Sequence, residues 1–337
     1  MNRKPLSASM AVPLASSVLA TVLAVASAPA PSFAATDRPG AAAALHVHTS
    51  SPDGFLTNSV WIDDGREVTV VDTQFTPALA QAVVADIARR TRSPIRRVIV
   101  THPNPDKFNG LSVFHRLGAE SIASRATADR MPGVHAYKRY FWTEIARAFT
   151  PDTYPALEQP RTTFSGRMTV PLANGDSLTL FELATPGVSA TQTAVRLDST
   201  GDLVVGDLVA NRTHAWLEGA VDGGRPVFDL AGWKAALREL PALAAGKPGA
   251  RLHAGRGPAL PVTDAVPAQL AYLDAADEAI RAEEQVLGGE RAALADPTRQ
   301  APHVRAIRER LVARFPSHSM PELLDHSLYG WLASRAR

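Results

Sequence analysis

The chain has no cysteine among its 337 residues. It therefore forms no disulfide bond and offers no thiolate to a metal ion. No Gly-x-Ser-x-Gly segment is present, so the nucleophile elbow of a serine hydrolase is missing as well. Hydrophobic residues make up 45% of the chain and charged residues 20%, which are ordinary values for a globular protein whose stability comes from its core.

The N-terminus lacks an apolar run as long as the roughly 20 residues that span a membrane. Arg3 and Lys4 precede an apolar stretch over residues 10–26, and residues 32–34 form a small-x-small cleavage pattern. This combination predicts a secretory signal peptide over residues 1–34, with a membrane anchor as the less favoured interpretation. We therefore expect a periplasmic or secreted protein.

The charge balance gives no indication of a nucleic-acid partner. The formal net charge is +2, and cleavage would remove Arg3 and Lys4 and leave 0. We expect no nucleic-acid binding, and no membrane association once the signal peptide is cleaved. The expected partner is a small-molecule substrate or ligand, and the sequence does not indicate the oligomeric state.

Hydrophobic patterning divides the rest of the chain into three parts. A linker is predicted over residues 35–49, an alternation of strands and helices over residues 50–262, and a helical C-terminal extension over residues 263–337. This order predicts an α/β fold. Strands are expected over residues 55–62, 68–71, 97–100, 177–183, 193–197, 203–205 and 251–253.

The segment after the third predicted strand carries a motif, Thr101-His102-Pro103-Asn104-Pro105-Asp106-Lys107-Phe108-Asn109-Gly110. It resembles the Thr-His-x-His-x-Asp-His-x-x-Gly signature of the metallo-β-lactamase superfamily. Four further segments resemble that family in the same order, namely residues 70–73, 185–187, 206–208 and 254–258. The resemblance implies an αββα sandwich and an activity in which zinc-bound hydroxide attacks an ester, amide, lactam or thioester.

The zinc ligands that the resemblance implies are largely replaced. At the first metal position the family's three histidines correspond to His102, Asn104 and Val188, which leave one imidazole and one amide. A site of this kind binds zinc poorly, because zinc prefers imidazole, thiolate and carboxylate ligands.

At the second metal position the corresponding residues are Asp106, Lys107 and Arg256, with Asp207 as the bridging carboxylate. Protonated Lys and Arg do not ligate a metal. Two positive side chains therefore stand where the family places a divalent ion. We expect Lys107 and Arg256 to compensate the charge of the two carboxylates through salt bridges, or to bind an anionic ligand.

Two histidines near the motif segments leave a single-metal site open. His214 and His253 are weaker candidates to join His102, Asp106 and Asp207, although an ordinary hydrogen-bonded histidine is favoured for each. The sequence predicts one zinc ion at most, or none. Trp142, Trp216 and Tyr140 are candidates to line a groove, with core packing as the favoured alternative.

Three functions follow. The favoured one is a non-hydrolytic or ligand-binding relative with a degenerate zinc site. The second is an active hydrolase with a single metal, in which Asp106 orients or deprotonates the attacking water. The third is a dimerisation or partner-binding module, in which apolar side chains of residues 323–332 form an exposed face on the helical extension.

Overall fold

The computed structural model describes residues 42–288, 290–296 and 298–335. The predicted signal peptide, residues 1–34, lies outside the described residues. The strands are β1 Ala44–Thr49, β2 Asn58–Asp63, β3 Val68–Val71, β4 Ile95–Ile99, β5 Glu120–Ser124, β6 Thr162–Phe164, β7 Arg167–Pro171, β8 Ser177–Glu182, β9 Thr193–Leu197, β10 Leu203–Val204, β11 Ala220–Asp222, β12 Arg225–Val227, β13 Arg251–His253 and β14 Leu260–Pro261. The helices are α1 Pro77–Arg90, α2 Pro105–Phe108, α3 Leu111–Arg116, α4 Arg125–Tyr140, α5 Leu230–Leu243, α6 Val262–Leu287, α7 Ala301–Arg314 and α8 Glu322–Arg335.

Two six-stranded sheets form the centre of the fold. The first has the order β1-β2-β3-β4-β5-β6 and the second has the order β14-β13-β10-β9-β8-β7. One apolar cluster lies between the sheets, a second lies under α1 and α3, and a third lies under α5 and the C-terminal helices. The predicted α/β sandwich with a helical extension is therefore confirmed.

Strand β2 shows how the sequence specifies these layers. Alternate side chains of a strand point to opposite faces. Val60 and Ile62 accordingly join the cluster between the sheets, whereas Trp61 joins the cluster under the helices. Helix α1 begins as its sequence predicts, because the Thr76 hydroxyl accepts a hydrogen bond from the Leu79 amide at 3.3 Å.

The predicted linker over residues 35–49 is wrong for its second half, which forms β1. This strand pairs antiparallel with β2, with Val47 opposite Val60. Leu45 and Val47 pack against the cluster between the sheets, and this burial favours a strand over a linker. The strand predicted over residues 55–62 begins later, because Phe55 and Leu56 adopt positive φ angles of 60° and 50°.

The prediction of an exposed apolar face on the C-terminal extension is wrong. The large aliphatic and tryptophan side chains of α8 are at most 2% exposed: Leu323, Leu324, Leu328, Trp331 and Leu332. Trp331 stacks on Phe228, with ring centroids 3.9 Å apart. The extension packs on the second sheet and adds to its core. Within the described residues, no helix is both long and apolar enough to cross a membrane.

We expect Gly330→Ala in α8 to lower the free energy of unfolding by about 1–3 kcal/mol, the usual cost of overpacking. A Cβ at Gly330 would lie 2.3 Å from the backbone oxygen of Glu218. The backbone of α8 or of Glu218 would have to shift to accommodate the methyl group. Gly133→Ala is the matched control, because a Cβ at Gly133 in α4 meets nothing within 4 Å. Urea unfolding of both variants checks this, and a neutral Gly330→Ala would contradict the docking of α8.

Candidate functional site

The motif residues meet at one edge of the sandwich. Asp72 follows β3, and His102 lies three residues beyond β4. From the second sheet, Asp207 follows β10 and Arg256 follows β13. These strand ends bring segments far apart in the sequence to one place, as is usual for sites of α/β proteins.

Four charged side chains at this edge form what we call the ionic quartet: Asp106, Lys107, Asp207 and Arg256. The Lys107 ammonium lies 2.9 Å from Asp106 Oδ2 and 2.8 Å from Asp207 Oδ1. The Arg256 guanidinium lies 2.9 Å from Asp106 Oδ2 and 2.6 Å from Asp207 Oδ2. Each cation bridges both carboxylates, so the two positive and two negative charges form a closed ring.

The quartet is fully enclosed. Lys107 is 0% exposed, and no other member exceeds 6%. Gly255 allows this close approach, because a Cβ there would lie 2.0 Å from Asp207 Oδ1. Buried charges of this kind persist only when they are paired and hydrogen-bonded, and here each one is.

The pKa values follow from this pairing. Burial alone would raise the pKa of Asp207, but Arg256 and Lys107 outweigh it and hold that pKa below its ordinary value. Burial would likewise lower the pKa of Lys107, but Asp106 and Asp207 outweigh it and raise that pKa. The pKa of Arg256 is also raised. The quartet therefore stays charged, and neither cation becomes a neutral ligand for a metal near neutral pH.

Thr57 is a site residue that the sequence analysis missed. Its hydroxyl donates to Asp106 Oδ2 at 3.1 Å and accepts from the Arg256 guanidinium at 3.2 Å. The Arg256 Nε also donates to the backbone oxygen of Phe55 at 3.0 Å. No local pattern distinguishes Thr57 from other threonines that precede a strand, because its role depends on a pairing with residue 256.

His102 belongs to a separate chain of hydrogen bonds. The Thr101 hydroxyl and backbone amide both donate to the Asp72 carboxylate at 2.9–3.0 Å. The same hydroxyl lies 2.9 Å from His102 Nδ1. Burial raises the pKa of Asp72 to about 7 and lowers the pKa of His102 to about 4. His102 is therefore neutral at physiological pH, and its Nε2 has no hydrogen-bond partner among the described residues.

The two spare histidines do not join the quartet. His214 Nδ1 lies 2.9 Å from the Tyr272 hydroxyl, and its ring packs against His318. His253 lies 3.9 Å from Asp202, a residue between β9 and β10. The contact of His214 with Tyr272 agrees with the ordinary hydrogen-bonded role that the sequence analysis favoured, and these contacts give no support to a metal-ligand role for either histidine.

We expect His214 to make the protein less stable in acid. Burial, with smaller contributions from His318 and Arg308, lowers the pKa of His214 from 6.5 to about 4. Between these values the unfolded chain binds the proton and the folded chain does not, so stability decreases as the pH is lowered, by up to about 3 kcal/mol. His214→Gln should remove this contribution, measured as the difference in unfolding free energy between about pH 7 and pH 4.5. Tyr272→Phe keeps the imidazole and should keep the pH dependence; an unchanged slope in His214→Gln would contradict the assignment.

The donor set does not fit zinc. In the part of the chain that the structure describes, no group of three or more His, Asp or Glu side chains is arranged to hold a metal ion. The candidate ligands His102, Asp106 and Asp207 include only one imidazole, and both carboxylates are bonded to cations. Val188, at the remaining position, is 0% exposed and belongs to the apolar core. Zinc would have to displace Lys107 and Arg256, whose charges already neutralise the carboxylates.

A small cavity lies beside the quartet. Centres of a water-sized sphere can occupy about 30 Å³ of it, room for about two water molecules. Asn104, Asp106, Asp207 and Arg256 supply its polar wall. Its apolar wall consists of Phe55, Phe75, Pro105, Trp142 and Trp216, and Lys138 lines the remaining side. Trp142 and Trp216 both belong to the apolar core, the favoured interpretation, and also line the cavity, whereas Tyr140 is 59% exposed and does neither.

A second buried ion pair supports this wall. Lys138 in α4 binds Glu218 and lies over the Trp216 ring, 4.7 Å from its centroid. Glu218 also accepts hydrogen bonds from the Trp216 indole at 2.9 Å and from the Tyr329 hydroxyl of α8. The C-terminal extension therefore contributes to the support of the cavity, which the sequence analysis did not anticipate.

A Ser–His–Glu array also occurs away from the cavity. His115 binds Glu158 through Nδ1, and its Nε2 lies 2.7 Å from the Ser121 hydroxyl. This order of contacts is that of a hydrolytic triad. However, Ser121 is 0% exposed, and its oxygen accepts the backbone amide of Arg161 at 2.9 Å. Because no substrate reaches Ser121, the array is not a catalytic site; it joins α3 and β5 to the loop that precedes β6.

Comparisons with known proteins identify the fold and the family. A metallo-beta-lactamase from Pontibacter korlensis has the same fold, with a TM-score of 0.51 at 18% identity, covering 69% of this chain and 94% of that one. A metallo-beta-lactamase from Hirschia baltica aligns with a TM-score of 0.47 at 19% identity, covering 68% of this chain and 92% of that one. Residues 52–255 match the family model of the metallo-beta-lactamase superfamily. Since this match spans more than half of the sequence, the chain belongs to the metallo-beta-lactamase superfamily.

Proposed function

We propose that this protein is an exported, non-hydrolytic, ligand-binding member of its superfamily. The ionic quartet takes the place of the second zinc ion, and the cavity beside it holds a small molecule. The observation that carries this proposal is that Lys107 and Arg256 each bridge Asp106 and Asp207 within 3 Å. Export rests on the N-terminal sequence pattern alone.

Charge explains why two histidine positions became cations together. A divalent ion beside Asp106 and Asp207 supplies two positive charges, and the ammonium and guanidinium supply the same number. Losing the metal without replacing its charge would leave two buried carboxylates unpaired, at a cost of about 3–5 kcal/mol. Lys107 and Arg256 avoid this cost, so the fold is retained without the ion.

A single-metal hydrolase is the second candidate function. One observation favours it, because His102 Nε2 is buried without a hydrogen-bond partner among the described residues and lies 3.9 Å from Asp207 Oδ2. In this version a metal would satisfy His102 and the carboxylates, and Asp106 would orient the water. A metal at this position requires that Lys107 and Arg256 both move away from the carboxylates. This is unfavourable, because each of the two cations contacts both carboxylates.

A hydrolysis assay distinguishes the two candidates. Nitrocefin, a lactone and a thioester are incubated with the protein and added zinc, iron or manganese, with and without a chelator. We expect no turnover that the chelator abolishes, because no open metal position is available for a nucleophilic water. Chelator-sensitive turnover that is lost in Asp106→Asn and retained in Asp129→Asn, an exposed carboxylate of α4, would overturn the proposal.

A further inference from the structure

The cavity beside the ionic quartet contains a polar side chain whose bonding capacity is unused. We propose that this cavity binds a small uncharged molecule through a carboxamide-like group, with Asn104 as the side chain that recognises it. The apolar part of the molecule would lie against the aromatic wall. This inference rests on the proposed ligand-binding function and names the chemical class of its ligand.

The backbone oxygen of Asn104 accepts the Lys107 amide of α2, but the Asn104 side chain does not cap this helix. An asparagine at the residue before a helix normally accepts a hydrogen bond from the first turn. Asn104 occupies that position before α2 without making the bond. Its side chain lines the cavity and is only 7% exposed, and it bonds to no other side chain or backbone group in the described part of the molecule. Its amide oxygen and two N–H donors are therefore available to a molecule that enters the cavity.

The electrostatics of the cavity favour an uncharged ligand. The charges of the quartet sum to zero, and Lys138 is paired with Glu218. An anion would find no uncommitted cation among these wall residues, and a cation would find no uncommitted carboxylate. Either ion would lose its hydration without a compensating partner, whereas a neutral amide loses less and regains two hydrogen bonds from Asn104.

The shape of the cavity sets which part of the ligand enters. The space of about 30 Å³ admits a group of about two or three heavy atoms, which matches a carboxamide. Phe55, Phe75 and Trp142 pack together beside it, with ring centroids 5.3–5.6 Å apart. A flat apolar group attached to the carboxamide would contact these rings, as aromatic side chains commonly do at ligand sites.

Three probes of the same shape and different charge test the proposal on the natural protein. Benzamide is neutral, benzoate is an anion and benzamidine is a cation. Binding is followed through the indole NMR signals of Trp142 and Trp216 during titration. We expect benzamide to bind with a millimolar dissociation constant, at least about tenfold more tightly than either ion. Tighter binding of benzoate would show an anion site and overturn the proposal, as would the absence of benzamide binding up to its solubility limit.

Variants of Asn104 test the recognising side chain. Asn104→Leu should weaken benzamide binding at least about tenfold, whereas Asn104→Asp should shift the preference to benzamidine. Gln81→Leu, an exposed amide of α1, is the control and should bind benzamide normally. Benzamide binding that survives in Asn104→Leu overturns the role of Asn104. A negative result with these probes leaves the absence of hydrolysis untouched, whereas chelator-sensitive turnover contradicts the proposed function itself.

Discussion

Replacing Lys107 by methionine is expected to lower the free energy of unfolding by about 3–5 kcal/mol. Methionine has nearly the same length and fills the same space, so the variant removes the charge and little else. Asp106 and Asp207 would then remain buried with Arg256 as their single cation. Because a buried unpaired carboxylate is far more costly than a missing surface ion pair, this effect should be among the largest of any single substitution at the site.

A second substitution shows whether the loss comes from charge. Lys107→Met combined with Asp207→Asn removes one positive and one negative charge, so the double variant should be more stable than the sum of the single effects predicts. Urea unfolding of the four proteins gives the coupling energy. Additive effects would mean that Lys107 stabilises the fold through packing and not through the quartet.

Restoring histidines at the four replaced ligand positions is expected to create a zinc site. The variant combines Asn104→His, Lys107→His, Val188→His and Arg256→His. Removing Lys107 and Arg256 leaves Asp106 and Asp207 uncompensated, and a divalent ion then supplies the two missing positive charges. We expect submicromolar zinc affinity, a binding free energy beyond about 8 kcal/mol, and a rise in stability on adding zinc.

The matched control removes the cations without adding ligands. A variant with Lys107→Met and Arg256→Met should bind zinc weakly and should be strongly destabilised, because its carboxylates have neither a cation nor a metal. Isothermal titration and thermal unfolding with and without zinc compare the two variants. Failure of the four-histidine variant to bind zinc while folded would mean that the backbone of the site has also departed from a metal-binding geometry.

The sequence was sufficient for those parts of the fold that local patterns specify. The β-branched run Val68–Val71 forms a strand as predicted, and Thr76 caps α1 with Pro77 as its first residue, as these residue types favour. Helix α4 was not predicted, because Pro132 and Gly133 interrupt its pattern. Such elements are set by tertiary packing, which overrides local propensity.

The candidate site was predictable to a similar extent. The pairing of Lys107 and Arg256 with Asp106 and Asp207 could be predicted. These residues occupy corresponding positions in the five segments that resemble the family, and the resemblance places those positions together. The contribution of Thr57 and the supporting pair of Lys138 and Glu218 did not follow, because these contacts join residues distant in the sequence with no motif of their own. The sequence left His214 and His253 open as weaker ligand candidates for the same reason, since only the folded chain shows that His214 meets Tyr272 and that His253 lies near Asp202.

Zinc titration of the natural protein, purified without chelator, tests the central claim most directly. The sample is the protein without its predicted signal peptide, residues 1–34. Isothermal titration measures its zinc affinity, and metal analysis of the purified sample measures the metal already bound. The ionic quartet predicts less than stoichiometric metal in the sample and a zinc affinity weaker than about 100 μM, a binding free energy short of about 6 kcal/mol. Stoichiometric zinc bound with submicromolar affinity would contradict the replacement of the metal by Lys107 and Arg256.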